Sequence, residues 1–152
     1  MIEIYSNFFT NEESDELVAY YNTHRNIHLE FRQGVYRFDT IDIRDVVDKF
    51  LFNDKFKVIN PVKFRIQSVN PNIDINDRTH THAEAWTSIV FLNDDFEGGE
   101  LIVDNCIIKP KKNELVLFTG NEPHMVNPII NGERFTLVSI SEKKAIIKRN
   151  IV

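Results

Sequence analysis

Cysteine is nearly absent. Cys106 is the only one in 152 residues, so neither an intrachain disulfide nor a zinc cluster built on thiolates can form. A reducing, cytoplasmic setting is the expectation. Glycine and proline are scarce, five of each, which excludes collagen-like repeats and Pro/Gly-rich linkers. No apolar run approaches the ~18 residues of a membrane span. The start of the chain carries an acid and no basic segment ahead of its apolar residues, so neither membrane insertion nor targeting is expected. Basic charge is also short: 18 Lys and Arg stand against 23 Asp and Glu, a net charge of -5. That balance argues against broad capture of nucleic acid or anionic lipid. What is plentiful is apolar material, 42% of the chain with 12 Phe. It suffices for one globular domain over residues 1–152, with no internal repeat or low-complexity tract.

The hydrophobic period changes once along the chain. Thr10-Asn11-Glu12-Glu13 has the form of a capping box, in which a hydroxyl and a carboxylate satisfy each other's helix-end amides. Leu17, Val18, Tyr20 and Tyr21 follow at helical spacing, and Asn22-Thr23 is read as the end of the helix. A second helix is expected near residues 41–52, with Ile43, Val46, Val47 and Phe50 on one stripe. From Pro61 the period becomes two, as Val62, Phe64 and Ile66 alternate with Lys63, Arg65 and Gln67. Further strands are expected at 79–84, 87–92, 100–103, 106–108, 114–118, 125–130 and 135–141, with turns at Gly98-Gly99, 110–113, Gly120-Asn121 and Asn131-Gly132. The expectation is a mainly β (α+β) protein. Two amphipathic N-terminal helices pack outside a barrel or sandwich that shields its strand edges.

Three of the five histidines, His80, His82 and His124, fall in this β-rich part. On a strand over 79–84 the side chains of His80, His82 and Glu84 share a face. Two imidazoles and a carboxylate on one strand, joined by an imidazole from a later one, suit an iron site that keeps positions open for substrate and oxygen. The competing reading is a solvated outward face, since His and Glu are mostly surface residues.

The neighbouring motifs favour the metal. The run Thr87-Ser88-Ile89-Val90-Phe91-Leu92-Asn93-Asp94-Asp95-Phe96-Glu97-Gly98-Gly99-Glu100-Leu101 resembles the strand and turn after the first metal motif of the prolyl 4-hydroxylase-like 2-oxoglutarate and iron(II) dioxygenases. Residues 110–118 resemble that family's Pro-x-x-Gly turn and following strand, with Asn113 in the place of Gly. His124-Met125-Val126-Asn127-Pro128 and Gly132-Glu133-Arg134-Phe135-Thr136 resemble its distal histidine and the basic residue ten positions on. The likeness spans 79–141 well and the helical start loosely.

The resemblance implies a double-stranded β-helix, the jelly-roll barrel of cupin-like folds. It implies Fe(II), 2-oxoglutarate and O2 as cofactors, with ascorbate as an accessory reductant, and hydroxylation of an unactivated carbon with release of succinate and CO2. A peptide, protein or small-molecule substrate is implied, with a nucleic-acid demethylase the lesser alternative. By the family pattern His124 is the distal metal ligand. Arg134 pairs with the far carboxylate of 2-oxoglutarate, and Thr136, two residues on, shares it. The plainer reading of Arg134 is a surface ion pair with a neighbour such as Glu133.

The first motif has two registers. His82-Ala83-Glu84 gives two histidines and an acid with His124, which suits hard Fe(II). His80-Thr81-His82 gives three imidazoles with His124, as in three-histidine dioxygenases, and leaves a longer connection to Trp86. Phe91 stands where many relatives carry a co-substrate-binding tyrosine, and Gln67 or Ser68 are the candidates to replace that hydroxyl. Trp86 is read as core packing or as a lining of the substrate entrance, and 24–41 and 70–78 as polar lids. Lys109, Lys111 and Lys112, with Lys143, Lys144, Lys148 and Arg149, are read as solvated edges, and 145–152 as a candidate oligomer contact. A catalytically degenerate binding or structural module is the rival from a different class.

Overall fold

The computed structural model describes residues 2–28, 30–32, 35–39, 63–71, 85–119 and 121–142. In chain order the elements are β1 (Ile2–Tyr5), α1 (Asn11–His28), β2 (Glu30–Arg32), β3 (Val35–Asp39), β4 (Lys63–Val69), β5 (Ala85–Phe91) and β6 (Glu97–Gly98). There follow β7 (Leu101–Val103), β8 (Cys106–Ile108), β9 (Leu115–Thr119), β10 (His124–Val126), β11 (Ile129–Asn131) and β12 (Arg134–Glu142). They form a seven-stranded sheet in the order β1-β9-β5-β12-β4-β3-β2, a three-stranded sheet β10-β7-β8 and a pair β11-β6, with antiparallel neighbours throughout. Among the described residues there is one helix, and it is not long and apolar enough to cross a membrane.

That helix begins as its sequence dictates. The Thr10 amide donates to Glu13 Oε1 at 2.9 Å and the Glu13 amide to Thr10 Oγ1 at 3.2 Å, the reciprocal bonds of a capping box. It does not stop at Asn22-Thr23. Thr23 Oγ1 donates to the Ala19 carbonyl at 2.9 Å and His24 Nδ1 bonds the Tyr20 carbonyl at 2.9 Å, so these side chains use the helix's own carbonyls. The His24 ring stacks on Tyr20, and the helix continues to His28. Leu17 and Tyr21, one turn apart, are buried with Phe9 against Ile66, Val90, Leu92, Leu115, Leu117, Phe135 and Leu137 of the large sheet.

The other face of the large sheet has its own core. Ile89, Phe91, Val116, Phe118 and Val138 pack against Leu101, Val103 and Ile108 of the three-stranded sheet. Strands β5, β9 and β12 are therefore covered on both sides, by α1 on one and by the smaller sheet on the other. This explains why Ser88-Ile89-Val90-Phe91-Leu92 and Leu115-Val116-Leu117-Phe118 are continuous apolar runs rather than alternating ones.

Several expectations are corrected. The segment 24–41 is not a polar lid in its described part: it completes α1 and adds β2 and β3 to the sheet edge, β3 pairing with β4 through Tyr36–Ser68 and Phe38–Ile66. The alternation in Val35-Tyr36-Arg37-Phe38 is the strand signal that this reading passed over. The expected strand at 125–130 is two strands in different sheets, divided at Asn127-Pro128, where proline cannot continue the ladder. Gly98 belongs to β6, and β1 was not foreseen. Lys109 and Lys111 are exposed, and Lys112, at the surface, pairs its Nζ with the exposed Asp15 of α1 at 2.7 Å. The second helix at 41–52, the strand at 79–84, the remainder of the 70–78 lid after Pro71 and the 145–152 tail lie outside the described residues, as do Lys143, Lys144, Lys148 and Arg149.

Asn113 joins the helix to the sheets. Its φ is 71°, the left-handed conformation that Asn tolerates better than most residues. Its side chain accepts from Ser14 Oγ at 2.5 Å and donates to Asn11 Oδ1 at 2.8 Å, while its amide donates to the Phe91 carbonyl at 2.8 Å. Glycine at this position has the backbone freedom and none of the side-chain bonds.

Candidate functional site

Side chains alternate along β12. Phe135, Leu137 and Ser139 face α1, and Arg134, Thr136 and Val138 face the interior between the sheets. Arg134 is 1% exposed, the bulkiest side chain enclosed to this degree. Its guanidinium lies over the Phe91 ring, 5.3 Å from the centroid. Among the described residues its Nε and Nη2 have no hydrogen-bond partner. Burial pulls its pKa down from the ordinary arginine value to about 10, because the charged form has lost water. Thr136 is 1% exposed with Oγ1 equally partnerless. Arg134 is thus no surface ion pair with Glu133. It is an enclosed cation with two parallel donors aimed at nothing, the arrangement a carboxylate satisfies.

Gly99 makes room for this side chain. Its φ is +70°, and a Cβ there would stand 3.0 Å from Arg134 Cδ and 2.5 Å from Ile129 Cδ1. Thr136 lies opposite Phe91 on one side and Gln67 on the other, so the three share a row across the sheet. Of the two candidates to replace the missing tyrosine hydroxyl, Ser68 is ruled out by orientation. Its Oγ is bonded to Tyr21 OH at 2.6 Å on the helix side. Gln67 remains on the site's face. Trp86 is half-buried against the helix-side core, which is the packing role.

His124 opens β10 and is buried, and its register partner is Val103, which faces the same interior. Its Nδ1 lies 2.9 Å from the Glu122 carbonyl. A carbonyl only accepts, so Nδ1 carries a proton; in the neutral ring the lone pair then sits on Nε2, the form in which histidine binds a metal. The imidazole packs on Phe118, centroids 4.8 Å apart. Phe118 and Phe91 belong to one apolar cluster, so His124 and Arg134 border the same interior. His80, His82 and Glu84 lie outside the described residues.

Sequence reasoning missed one polar group here. Thr87, on the interior face of β5, is 3% exposed and its Oγ1 has no partner among the described residues. The only signal was a hydroxyl in an otherwise apolar strand, and its facing partners were invisible until the sheets were assembled. A separate cavity of about 360 Å³ is bordered by Asp94, Glu97 and Glu100 against Lys109. Its acidic excess makes it a poor seat for a dicarboxylate.

The fold and the lone guanidinium define a class. The sequence profile of the 2OG-Fe(II) oxygenase superfamily matches residues 63–140, just over half of the chain. The chain belongs to the 2OG-Fe(II) oxygenase superfamily. Its fold is similar to that of a prolyl-4-hydroxylase from Pseudomonas putida, with a TM-score of 0.65 at 15% identity over 94% of this chain and 92% of that one. A viral collagen prolyl hydroxylase from Paramecium Bursaria Chlorella virus-1, solved as a 2OG complex, gives 0.60 at 18% identity over 91% and 94%. The non-heme alpha ketoglutarate dependent epimerase SnoN from nogalamycin biosynthesis gives 0.78 at 9% identity over 93% and 76%. Among curated proteins no sequence matches the chain.

Proposed function

We propose that this protein is a 2-oxoglutarate- and Fe(II)-dependent dioxygenase that hydroxylates an unactivated carbon of a peptide, protein or small-molecule substrate, with succinate and CO2 as co-products. The observation that carries the reading is the enclosed guanidinium of Arg134, whose Nε and Nη2 have no hydrogen-bond partner among the described residues, in an interior that His124 also borders. An unpaired buried cation is costly and persists where a ligand supplies the anion. The three sheets are read as the walls of a double-stranded β-helix. A prolyl or related amino-acid substrate is favoured by the likeness to the bacterial and viral prolyl hydroxylases.

In this reading His124 Nε2 binds iron together with His82 and Glu84, the register that keeps an anionic ligand on the metal. The alternate register, His80 and His82 with His124, gives three neutral imidazoles. The residues present fit the cofactors: His124 is in the metal-binding tautomer, and the orphaned donors suit a carboxylate. Arg134 holds the far carboxylate of 2-oxoglutarate in a two-bond fork, Thr136 Oγ1 shares it, and Phe91 supports the guanidinium from below. Bound iron supplies the oxygen activation by which 2-oxoglutarate is decarboxylated and the substrate carbon hydroxylated. The protein's own work is to fix the co-substrate's orientation and to keep bulk water out of the apolar interior.

The test is spectroscopic. Anaerobic protein titrated with Fe(II) is expected to bind one equivalent and, on addition of 2-oxoglutarate, to develop a weak visible charge-transfer band. Absence of both iron uptake and the band in wild type would overturn the reading.

A further inference from the structure

We propose that Thr87 is a third ligand-positioning residue of this interior, its hydroxyl holding the 2-oxo-acid head of the co-substrate at the end opposite Arg134. The proposal rests on the reading above that a 2-oxo dicarboxylate fills the space. Thr87 is the third polar side chain, with Arg134 and Thr136, to bring to this face a buried atom that has no partner among the described residues. A buried hydroxyl left without a partner is destabilising, because it has given up its bonds to water for nothing. Leaving it unused is therefore a poor solution for a strand whose other interior residues, Ile89 and Phe91, are apolar.

Two registers fix where the hydroxyl stands. On β12 the interior residues run Arg134, Thr136, Val138, Ile140, and their β5 partners from the second onward are Phe91, Ile89 and Thr87. Polar groups thus occupy the two ends of this ladder, and the row between them, Val138 with Ile89, is apolar. At ~3.3 Å per residue, the Phe91 and Thr87 rows lie about 13 Å apart. A five-carbon diacid with a hydrogen bond at each end covers about that length, roughly 13 Å, with its methylene carbons over the apolar row. The second register, to β9, sets Thr87 opposite Phe118, whose ring packs on His124. Thr87 therefore stands at the histidine end of the interior, where the chelating head of a 2-oxo acid belongs.

Threonine is also the right residue for such a contact. Its methyl group completes the apolar wall, its β-branching suits a strand, and its hydroxyl both donates and accepts. Valine has nearly the same shape and lacks only the hydroxyl.

The test compares wild type, T87V, T87S and R134M by anaerobic calorimetric titration of the Fe(II)-loaded protein with 2-oxoglutarate, and by melting of the ligand-free protein. T87V is expected to weaken 2-oxoglutarate about tenfold, as loss of one hydrogen bond to a charged group does. T87S is expected to stay within about threefold of wild type, and ligand-free T87V to melt no lower, because it sheds an orphaned hydroxyl. If T87V binds as wild type does while R134M does not, the Thr87 proposal fails and the Arg134 site stands. If T87V melts lower and T87S does not restore binding, the residue is structural and the proposal is likewise overturned. If wild type itself binds no 2-oxoglutarate, the functional reading falls and this inference with it.

Discussion

At Arg134 the energetics run against stability. The residue is 1% exposed, with two nitrogens unpaired among the described residues, and its pKa is lowered to about 10 by burial. A base whose folded-state pKa lies below its unfolded value destabilises the fold while it is charged. That cost is in full force below pH about 10 and is relieved as pH rises from there towards the ordinary arginine value. R134M, of similar length and apolar, is expected to raise the ligand-free stability by about 1–4 kcal/mol while abolishing the stabilisation that 2-oxoglutarate gives wild type. Denaturant melts with and without 2-oxoglutarate check both parts, and a less stable R134M with an intact ligand response would contradict them. The same charge sets a pH dependence: dicarboxylate affinity is expected to fall as pH passes about 10 and the unliganded guanidinium loses its proton, which calorimetry at pH about 8 and about 10.5 reads directly.

At the scale of elements, the junction between α1 and the sheets depends on Asn113. Its side chain bonds Ser14, itself wholly buried, and Asn11, while its amide bonds the Phe91 carbonyl of the strand beneath Arg134. N113G relieves the positive φ but leaves the Ser14 hydroxyl without its acceptor. A net loss of about 1–2 kcal/mol is expected in the denaturant midpoint, with N113A losing more because alanine keeps the backbone strain as well. The β6–β7 turn is the second sensitive element. G99A forces a side chain onto a φ of +70° and against Arg134 Cδ and Ile129 Cδ1. It is expected to lower both the melting temperature and the affinity for 2-oxoglutarate, whereas R134M lowers only the second. Element boundaries follow the same local rules. The capping box sets where α1 starts, and side chains that bond back to helix carbonyls let it run through Asn22-Thr23 to His28.

For the whole molecule the decisive experiment concerns the iron ligands. E84A is expected to lose iron at metal concentrations that H80A retains, read by metal analysis after gel filtration, and the reverse result establishes the three-histidine register. Much of this protein was legible in the sequence. The capping box, the change of hydrophobic period at Pro61, the ordered motifs from Thr87 to Thr136 and the interior role of Arg134 each depend on residue type and local spacing. Those survive without knowledge of neighbours. The edge strand β1 was not legible, because a short strand is recognised by its pairing and its partner, β9, lies far along the chain. Nor was the separation of Gln67 from Ser68, or the isolation of the Thr87 hydroxyl. In β5, β9 and β12 both faces are buried, so alternation carries no record of which side meets the helix and which meets the smaller sheet. The sequence by itself determined the family, through ordered motifs of residue type and spacing between Thr87 and Thr136. Only the tertiary structure decided which polar atoms are left without partners, since satisfaction of a hydrogen bond belongs to groups brought together from distant strands.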